Sequence, residues 1–232
     1  MSIYSATGHR DLAILNPLPA EAFDRAVSTL ELSRESRAID FGCGKGDLLR
    51  RVVAKFGCHA EGIDLSSTFI DDARNTLPSA SFVVGDVRTH RVEPGYDLAC
   101  CVGASHAFGS TADALTALAR TVRPHGTVLL GEGYWRHEPD ADYLAAFGGK
   151  RDELLPLDMT ISLAWTRRLA LKETFIASES DFLRYETAHA KAIAAHGDDA
   201  MKTRSRAWQA AFEKWGRTTM GFALFVFEKR EL

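Results

Sequence analysis

The amino-acid sequence predicts an α/β fold built on a mostly parallel β-sheet. Short apolar segments alternate with amphipathic helical segments over the first 132 residues, which is the pattern of βαβ units. Unbroken apolar runs such as Val128-Leu129-Leu130 are typical of strands that are buried on both faces. The chain has 232 residues, of which 46% are apolar and 25% charged, so it can form one full core with a modest insertion.

An N-terminal arm and a helix precede the predicted sheet. Residues 1–17 are predicted to form the arm, because Pro17 and Pro19 bracket its end. A helix is expected to begin near Ala20, since apolar residues then recur at positions i, i+3, i+4 and i+7. These apolar residues are Phe23, Ala26, Val27 and Leu30.

Strands and helices then alternate up to the fifth strand. Each predicted strand is a short apolar run, and each predicted helix carries apolar residues on one face. The strands are expected at about 37–41, 59–64, 81–84, 96–102 and 127–131. The helices are expected at about 46–56, from Ser66 or Ser67 to Asn75, and from Thr111 to the turn at Pro124-His125-Gly126.

The composition changes after Gly133. Residues 134–168 mix proline and glycine with helical pieces, a strand is expected near 169–177, and residues 180–215 are predicted to be helical. A last buried strand at 221–228 should be antiparallel, because it follows a long helical segment. We expect a single domain over residues 1–232. Its core comprises about 36–133, 169–178 and 219–230, and its cap elements about 1–19, 134–168 and 179–218.

A glycine-rich turn follows the first strand. The segment Ala38-Ile39-Asp40-Phe41-Gly42-Cys43-Gly44-Lys45-Gly46 places three glycines at every second position. Glycine adopts positive φ without strain and lets a ligand approach the backbone closely. The spacing differs from the G-x-G-x-x-G of dinucleotide-binding turns, and Asp40 is better placed to meet a cation than a pyrophosphate. The turn therefore predicts a ligand lying on the main chain.

This turn resembles motif I of the class I S-adenosylmethionine (SAM) methyltransferases. The resemblance covers about residues 36–132, with the segments AIDFGCGKG, GIDLS, VVGDV, YDLACCVGASHAFG and LARTVRPHGTVLLGE in order. It implies a Rossmann-like sheet of seven strands, with an antiparallel last strand and a helical cap inserted before it. The later segment GEGYWRHEP is similar to bacterial small-molecule methyltransferases, which implies transfer of a methyl group from SAM to a small molecule.

The resemblance also implies a set of cofactor-binding residues at the carboxyl ends of the strands. Asp64 is expected to accept hydrogen bonds from ribose hydroxyls, Asp86 from the adenine amine, and Asp40 to orient the turn or meet the methionine ammonium. The alternative interpretation of these acids is that they cap helices. The full set is Asp40, Gly42, Cys43, Gly44, Gly46, Asp64, Leu65, Ser66, Asp86, Val87 and Gly103.

Methyl transfer from a sulfonium needs alignment above all, and needs a base only if the acceptor arrives protonated. His106, in the loop after the fourth strand, is the candidate base, and its alternative role is a pocket wall. Trp208, Phe212 and Trp215 are interpreted as core of the helical cap, and the alternative interpretation is an aromatic cage. The residues predicted to face the acceptor are His9, His106, Glu132, Tyr134 and Trp135, with Tyr4 and Tyr185 nearby.

The composition of the chain argues against some classes of binding partner. A net charge of −3 and the lack of a basic stripe disfavour nucleic acid and membrane surfaces. Four cysteines without a C-x-x-C pair, and an N-terminus without a secretion signal, predict reduced thiols, no metal site and a cytoplasmic location. An NAD-dependent oxidoreductase and a non-catalytic SAM-binding protein are the alternative functions. The sequence indicates neither the acceptor atom nor the oligomeric state.

Overall fold

The computed structural model describes residues 3–231, which form one sheet with helices on both faces. The strands are β1 Arg37–Phe41, β2 His59–Asp64, β3 Ser81–Val84, β4 Tyr96–Val102, β5 Val122–Trp135, β6 Leu155–Pro156, β7 Leu169–Ile176 and β8 Met220–Lys229. The helices are α1 Ile3–Gly8, α2 Ala20–Ser28, α3 Asp47–Phe56, α4 Ser67–Thr76, α5 Thr111–Thr121, α6 Ala141–Phe147, α7 Leu157–Trp165, α8 Glu179–His196, α9 Asp199–Ala211 and α10 Arg217–Thr219. None of the helices within these residues is both long and apolar enough to cross a membrane.

The sheet confirms the predicted fold class. Its order is β3-β2-β1-β4-β5-β8-β7, with β1 to β5 parallel and β8 antiparallel to both of its neighbours. The seven strands of this path are those that the sequence predicts. The eighth strand, β6, has two residues and pairs with the end of β5. A two-residue strand has no periodicity that a sequence could reveal.

Core residues alternate between the two faces of the sheet. In β4, Leu98 and Cys100 join the core under α2 and α3, whereas Ala99 and Cys101 join the core under α5 and α7. The neighbouring cysteines therefore point to opposite faces, as the strand period of two predicts. Burial on both faces explains why the central strands are apolar without interruption.

β5 is longer than predicted at both ends. It already begins at Val122, which pairs with Tyr96, and an irregularity that contains His125 at a φ of 61° precedes the next pair, Leu98 with Thr127. It also continues past Gly133 to Trp135, because β8 pairs with it as far as Met220. The residues Tyr134 and Trp135 therefore lie in the sheet and not in a loop.

The helical cap differs from the prediction in one respect. The predicted segment 180–215 contains two helices, because α8 ends before Gly197 and Asp198 begins α9 by accepting a hydrogen bond from the Met201 amide at 2.8 Å. A π-helical turn at Phe212–Gly216 follows α9. The N-terminal arm contains α1, which packs on α8, and its first two residues lie outside the described part of the chain.

Candidate active site

The glycine turn after β1 requires glycine for two physical reasons. Gly42, Gly44 and Gly46 adopt φ values of +74°, +53° and +76°, which strain residues with side chains. A Cβ atom at Gly44 would lie 2.7 Å from Leu15 Cδ1, and one at Gly42 would lie 2.3 Å from Ala104 Cβ. The turn thus combines an unusual backbone with close approach of the N-terminal arm and the loop after β4. Gly46 is buried beneath this surface, where it begins α3.

Asp64, at the end of β2, is held against this turn by backbone amides. Its Oδ2 accepts a hydrogen bond from the Gly44 amide at 2.9 Å, and its Oδ1 accepts one from the Ser66 amide at 2.8 Å. Ser66 is the residue that caps α4, through a 3.3 Å hydrogen bond from the Phe69 amide to its Oγ. Asp64 is therefore a fixed carboxylate at the strand ends rather than the cap of α4.

Asp40 is buried beneath the glycine turn. Its Oδ1 has no hydrogen-bond partner among the described residues. Burial and the neighbouring Asp64 raise the pKa of the Asp40 carboxyl to about 7. Because an unpaired buried carboxylate is unstable, this arrangement favours a cationic group near Asp40. Asp40 and Cys43 both line a small cavity of about 50 Å³ beside the turn.

A larger cavity, which we call the strand-end cavity, opens at the carboxyl ends of β1, β2 and β4. Its volume is about 130 Å³. It brings together eight of the sequence-predicted site residues: Gly42, Gly44, Asp64, Leu65, Val87, Gly103, His106 and His9. This is the side of a parallel sheet at which open α/β folds bind their ligands.

Asp86 lies beside this cavity with its oxygens already engaged. The backbone amide and guanidinium of Arg88 donate hydrogen bonds to both carboxylate oxygens at distances of 2.6–3.2 Å. The contact with the Arg88 side chain lowers the pKa of Asp86 to about 2. Val87 is buried and lines the cavity, so this turn presents an apolar side chain to the site.

His9 connects the N-terminal arm to the cap. Its Nδ1 lies 2.8 Å from the Ser5 carbonyl oxygen, so Nδ1 carries the proton and Nε2 accepts the 2.7 Å hydrogen bond of the Tyr185 hydroxyl. Burial and the neighbouring His189 lower the pKa of His9 to about 4. The imidazole is therefore neutral at pH 7.

His106 lies in a short 3₁₀ turn, Ser105–Phe108, directly after β4. Its ring is accessible at the strand-end cavity, yet desolvation by the surrounding loop lowers its pKa. It is therefore a neutral imidazole at pH 7 and can accept a proton.

The structure places Glu132, Tyr134 and Trp135 away from the strand-end cavity. Glu132 is buried behind it, where Thr111 Oγ1 and the Gly133 amide donate hydrogen bonds at 3.3 and 3.1 Å. Burial raises the pKa of Glu132 to about 7. Tyr134 is buried in the core, and Trp135 Nε1 donates to the Arg151 carbonyl oxygen at 2.7 Å.

Sequence reasoning missed several cavity residues. Leu15 and Phe69 are walls of the strand-end cavity. Phe69 could have been identified from its place on the apolar face of α4, whereas Leu15 lies in an arm without periodicity. A second cavity of about 260 Å³, which we call the cap cavity, was anticipated only through Tyr4 and Tyr185. It is lined by Tyr4, Ala146, Tyr185, Glu186, His189, Arg204, Ala207 and Trp208.

Comparison with known proteins finds a methyltransferase domain and similar sequences that include methyltransferases. A family model described as a methyltransferase domain matches residues 38–126. The uncharacterized protein YjhP of Escherichia coli is 28% identical over 192 residues, which is 79% of this chain and 76% of that protein. A trans-aconitate 2-methyltransferase of Paracidovorax citrulli is 34% identical over 70 residues, 30% of this chain and 27% of that relative.

Solved structures share the fold over almost the whole chain. A SAM-dependent methyltransferase of Thiobacillus denitrificans, in complex with S-adenosylhomocysteine, has a TM-score of 0.86 at 24% identity and covers 99% of both chains. The crystal structure of E. coli YjhP has a TM-score of 0.88 at 24% identity and covers 99% of this chain and 100% of the other. At this identity the likeness establishes the fold alone.

Proposed function

We propose that this chain, whose residues 38–126 match a methyltransferase domain, is a class I methyltransferase that transfers the methyl group of SAM to a small-molecule acceptor. The observation that carries the proposal is the buried Asp40 carboxyl, whose Oδ1 is unpaired beneath a turn of three positive-φ glycines. Bound SAM would supply a methyl group that is already activated by its sulfonium sulfur. The protein then has to bind the cofactor and the acceptor, orient them, and exclude water.

The residues at the strand ends fit such a cofactor. The charge of Asp40 suits the ammonium of the methionine moiety, and the fixed Asp64 carboxylate suits the two ribose hydroxyls. Leu65, which is exposed, and Val87 supply apolar surface for the adenine ring. We propose that the full cofactor set named from the sequence serves this site.

We propose that three members of the set support the site without contacting the cofactor. Ser66 fixes the start of α4, and the buried Cys43 side chain packs beneath the glycine turn. Asp86 fixes the turn that carries Val87 through its contact with Arg88, in place of the expected contact with the adenine amine. These roles explain why their polar groups are engaged within the protein.

The acceptor is proposed to be a small molecule enclosed by the N-terminal arm and the cap. His9 and His106 face the strand-end cavity from the arm and from the loop after β4, so His106 is the proposed proton acceptor. The net charge of −3 supports the proposal that nucleic acid is not the substrate. We propose one domain over residues 1–232, with the core and cap segments expected from the sequence.

A cytoplasmic location is also proposed. All four cysteines are buried and unbonded, and burial raises the pKa of the thiols of Cys43, Cys100 and Cys101. Such inert thiols are typical of proteins from a reducing compartment.

Isothermal titration calorimetry with SAM, S-adenosylhomocysteine and NAD tests the proposed function. We expect one molecule of SAM or S-adenosylhomocysteine to bind per chain, and no heat from NAD. Tighter binding of NAD than of SAM would contradict the assignment and favour the oxidoreductase alternative.

A further inference from the structure

The cap cavity and the strand-end cavity are adjacent, and one hydrogen bond connects their walls. Tyr185 lines the cap cavity, and its hydroxyl donates to Nε2 of His9, which lines the strand-end cavity. The cap cavity is also the larger of the two, at about 260 Å³ against about 130 Å³. A molecule held in the cap cavity therefore lies next to the wall that the two cavities share.

Glu186 gives the cap cavity a buried carboxyl group. Only 8% of its surface is exposed, and Trp208 Nε1 donates to its Oε2 at 2.7 Å. Among residues 3–231 no lysine, arginine or histidine forms an ion pair with it. The rings of Tyr4, Tyr185 and Trp208 line the same cavity. A carboxylate surrounded by aromatic faces suits an ammonium group, which is attracted both to the charge and to the π-electrons.

Arg204 gives the cavity a second, opposite charge at its rim. The side chain is exposed, and its guanidinium lies over the Tyr4 ring at 4.4 Å from the ring centre. Within the described part of the chain it takes part in no ion pair. A guanidinium fixed on an aromatic face is well suited to bind a carboxylate or phosphate group.

We propose that the cap cavity is a separate binding site for a small zwitterion, with the ammonium group toward Glu186 and the acidic group toward Arg204. The site is distinct from the place of methyl transfer, because His106, the proposed proton acceptor, lines the strand-end cavity and not the cap cavity. A purely anionic molecule would bring its charge toward Glu186, and a neutral one would leave that carboxylate without a counter-charge. A molecule with an ammonium group alone would leave Arg204 unused.

The charges that face the cavity give the site a specific pH dependence. Burial raises the pKa of Glu186 to about 7. Burial also raises the pKa of Tyr4, Tyr143 and Tyr185 and lowers that of His189, so these four side chains are neutral between pH 7 and 8. The ionised fraction of Glu186 rises about tenfold between pH 6 and pH 8. We therefore expect the affinity for an ammonium ligand to rise by up to about tenfold over this range.

Calorimetry on the full chain saturated with S-adenosylhomocysteine tests the inference. The probes are 4-aminobutanoate, butylamine and butanoate, each titrated at pH 6 and pH 8. We expect 4-aminobutanoate to bind most tightly, butylamine more weakly, and butanoate not at all. Tightest binding of butanoate, equal binding of all three, or no binding of any would overturn the inference.

Two variants test whether the probes bind in the cap cavity. Glu186→Gln keeps the acceptor for Trp208 Nε1 and should weaken both amines at least about tenfold while removing the pH dependence. Arg204→Gln changes an exposed side chain and should reduce the affinity for 4-aminobutanoate to that for butylamine. The matched control Glu213→Gln changes a surface carboxylate that pairs with Arg217, and should change none of the affinities.

The same experiment separates the two proposals. If the wild-type chain fails to bind S-adenosylhomocysteine, the proposed function fails. If it binds S-adenosylhomocysteine but prefers butanoate, or if Arg204→Gln leaves the preference for 4-aminobutanoate unchanged, only the inference about the cap cavity fails.

Discussion

The strand-end cavity is shaped mainly by the backbone, whereas the cap cavity is shaped mainly by side chains. At the strand-end cavity the essential geometry belongs to the backbone: three glycines at positive φ, and an Asp64 carboxylate held by two amides. At the cap cavity it belongs to side chains that helices α8 and α9 and the N-terminal arm bring together. A backbone site requires particular residues at fixed spacing, whereas a side-chain site does not. This difference explains why most of the strand-end cavity could be predicted, whereas only Tyr4 and Tyr185 of the cap cavity were named from the sequence as residues near the acceptor.

The largest effect is expected from Gly44→Val. A β-branched residue at a φ of +53° is strained, and its Cβ would lie only 2.7 Å from Leu15 Cδ1, so the new side chain would enter space that Leu15 already occupies. We expect SAM binding to be lost in calorimetry while the protein still folds.

Gly148→Val is the matched control for this variant. Gly148 also has a positive φ, +72°, but a Cβ there would meet nothing within 4 Å. Its strain should cost about 1–3 kcal/mol of the free energy of unfolding, as at Gly44, without a loss of SAM binding. Retained binding by Gly44→Val would show that the turn is not the cofactor platform.

Asp64→Ala should weaken SAM binding by one to two orders of magnitude. Hydrogen bonds to a charged group contribute about 1.5–3 kcal/mol, and about 1.4 kcal/mol corresponds to a tenfold change. The affinity is measured by calorimetry, with Asp71→Ala, an exposed carboxylate on α4 that pairs with Arg74, as the control. An Asp64→Ala variant with wild-type affinity would reduce Asp64 to a structural role.

Removal of residues 1–14 should reduce methyl transfer more than it reduces stability. The arm contributes His9 to the strand-end cavity and Tyr4 to the cap cavity, but few of its residues lie in the buried core. Activity with an identified acceptor and the melting temperature are compared for the truncated and full chains. A large fall in melting temperature with full residual activity per folded molecule would contradict this role of the arm.

A smaller effect, with the opposite sign for stability, is expected from Asp40→Asn. The folded-state pKa of about 7 lies above the ordinary value of 3.8, so ionised Asp40 destabilises the fold as the pH rises through this range. The uncharged amide should therefore raise the melting temperature of the ligand-free protein at pH 8 by about 2–4 °C per 1 kcal/mol gained, and should give little change at pH 4. SAM binding should weaken in the same variant. A lower melting temperature at pH 8 would contradict the assigned charge state.

The sequence predicted the central strands because their ends are marked by local chemistry. β1, β2, β3 and β4 have the predicted bounds, since glycine or aspartate directly follows or ends each apolar run. β5 was predicted too short, because its extension to Trp135 depends on pairing with β8, which lies about 90 residues later in the chain. That extension also places Tyr134 and Trp135, two of the predicted acceptor-pocket residues, in the sheet and outside the lining of the strand-end cavity.

The residues of the candidate site also differ in whether the sequence could identify them. Gly42, Gly44 and Asp64 could be named from their spacing alone, and the structure brings them to one cavity. Glu186 and Arg204 could not, because a glutamate and an arginine on exposed-looking helices resemble ordinary surface charges. Only the packing of α1 against α8, which no local pattern encodes, places Tyr4 beside them.

One titration shows whether the strand-end cavity and the cap cavity have separate ligands. S-adenosylhomocysteine is titrated into the wild-type chain, Asp64→Ala and Glu186→Gln under the same conditions. We expect the affinity of Asp64→Ala to be one to two orders of magnitude weaker than that of the wild type, and that of Glu186→Gln to be unchanged. Equal weakening by both variants, or weakening by Glu186→Gln alone, would contradict this expectation.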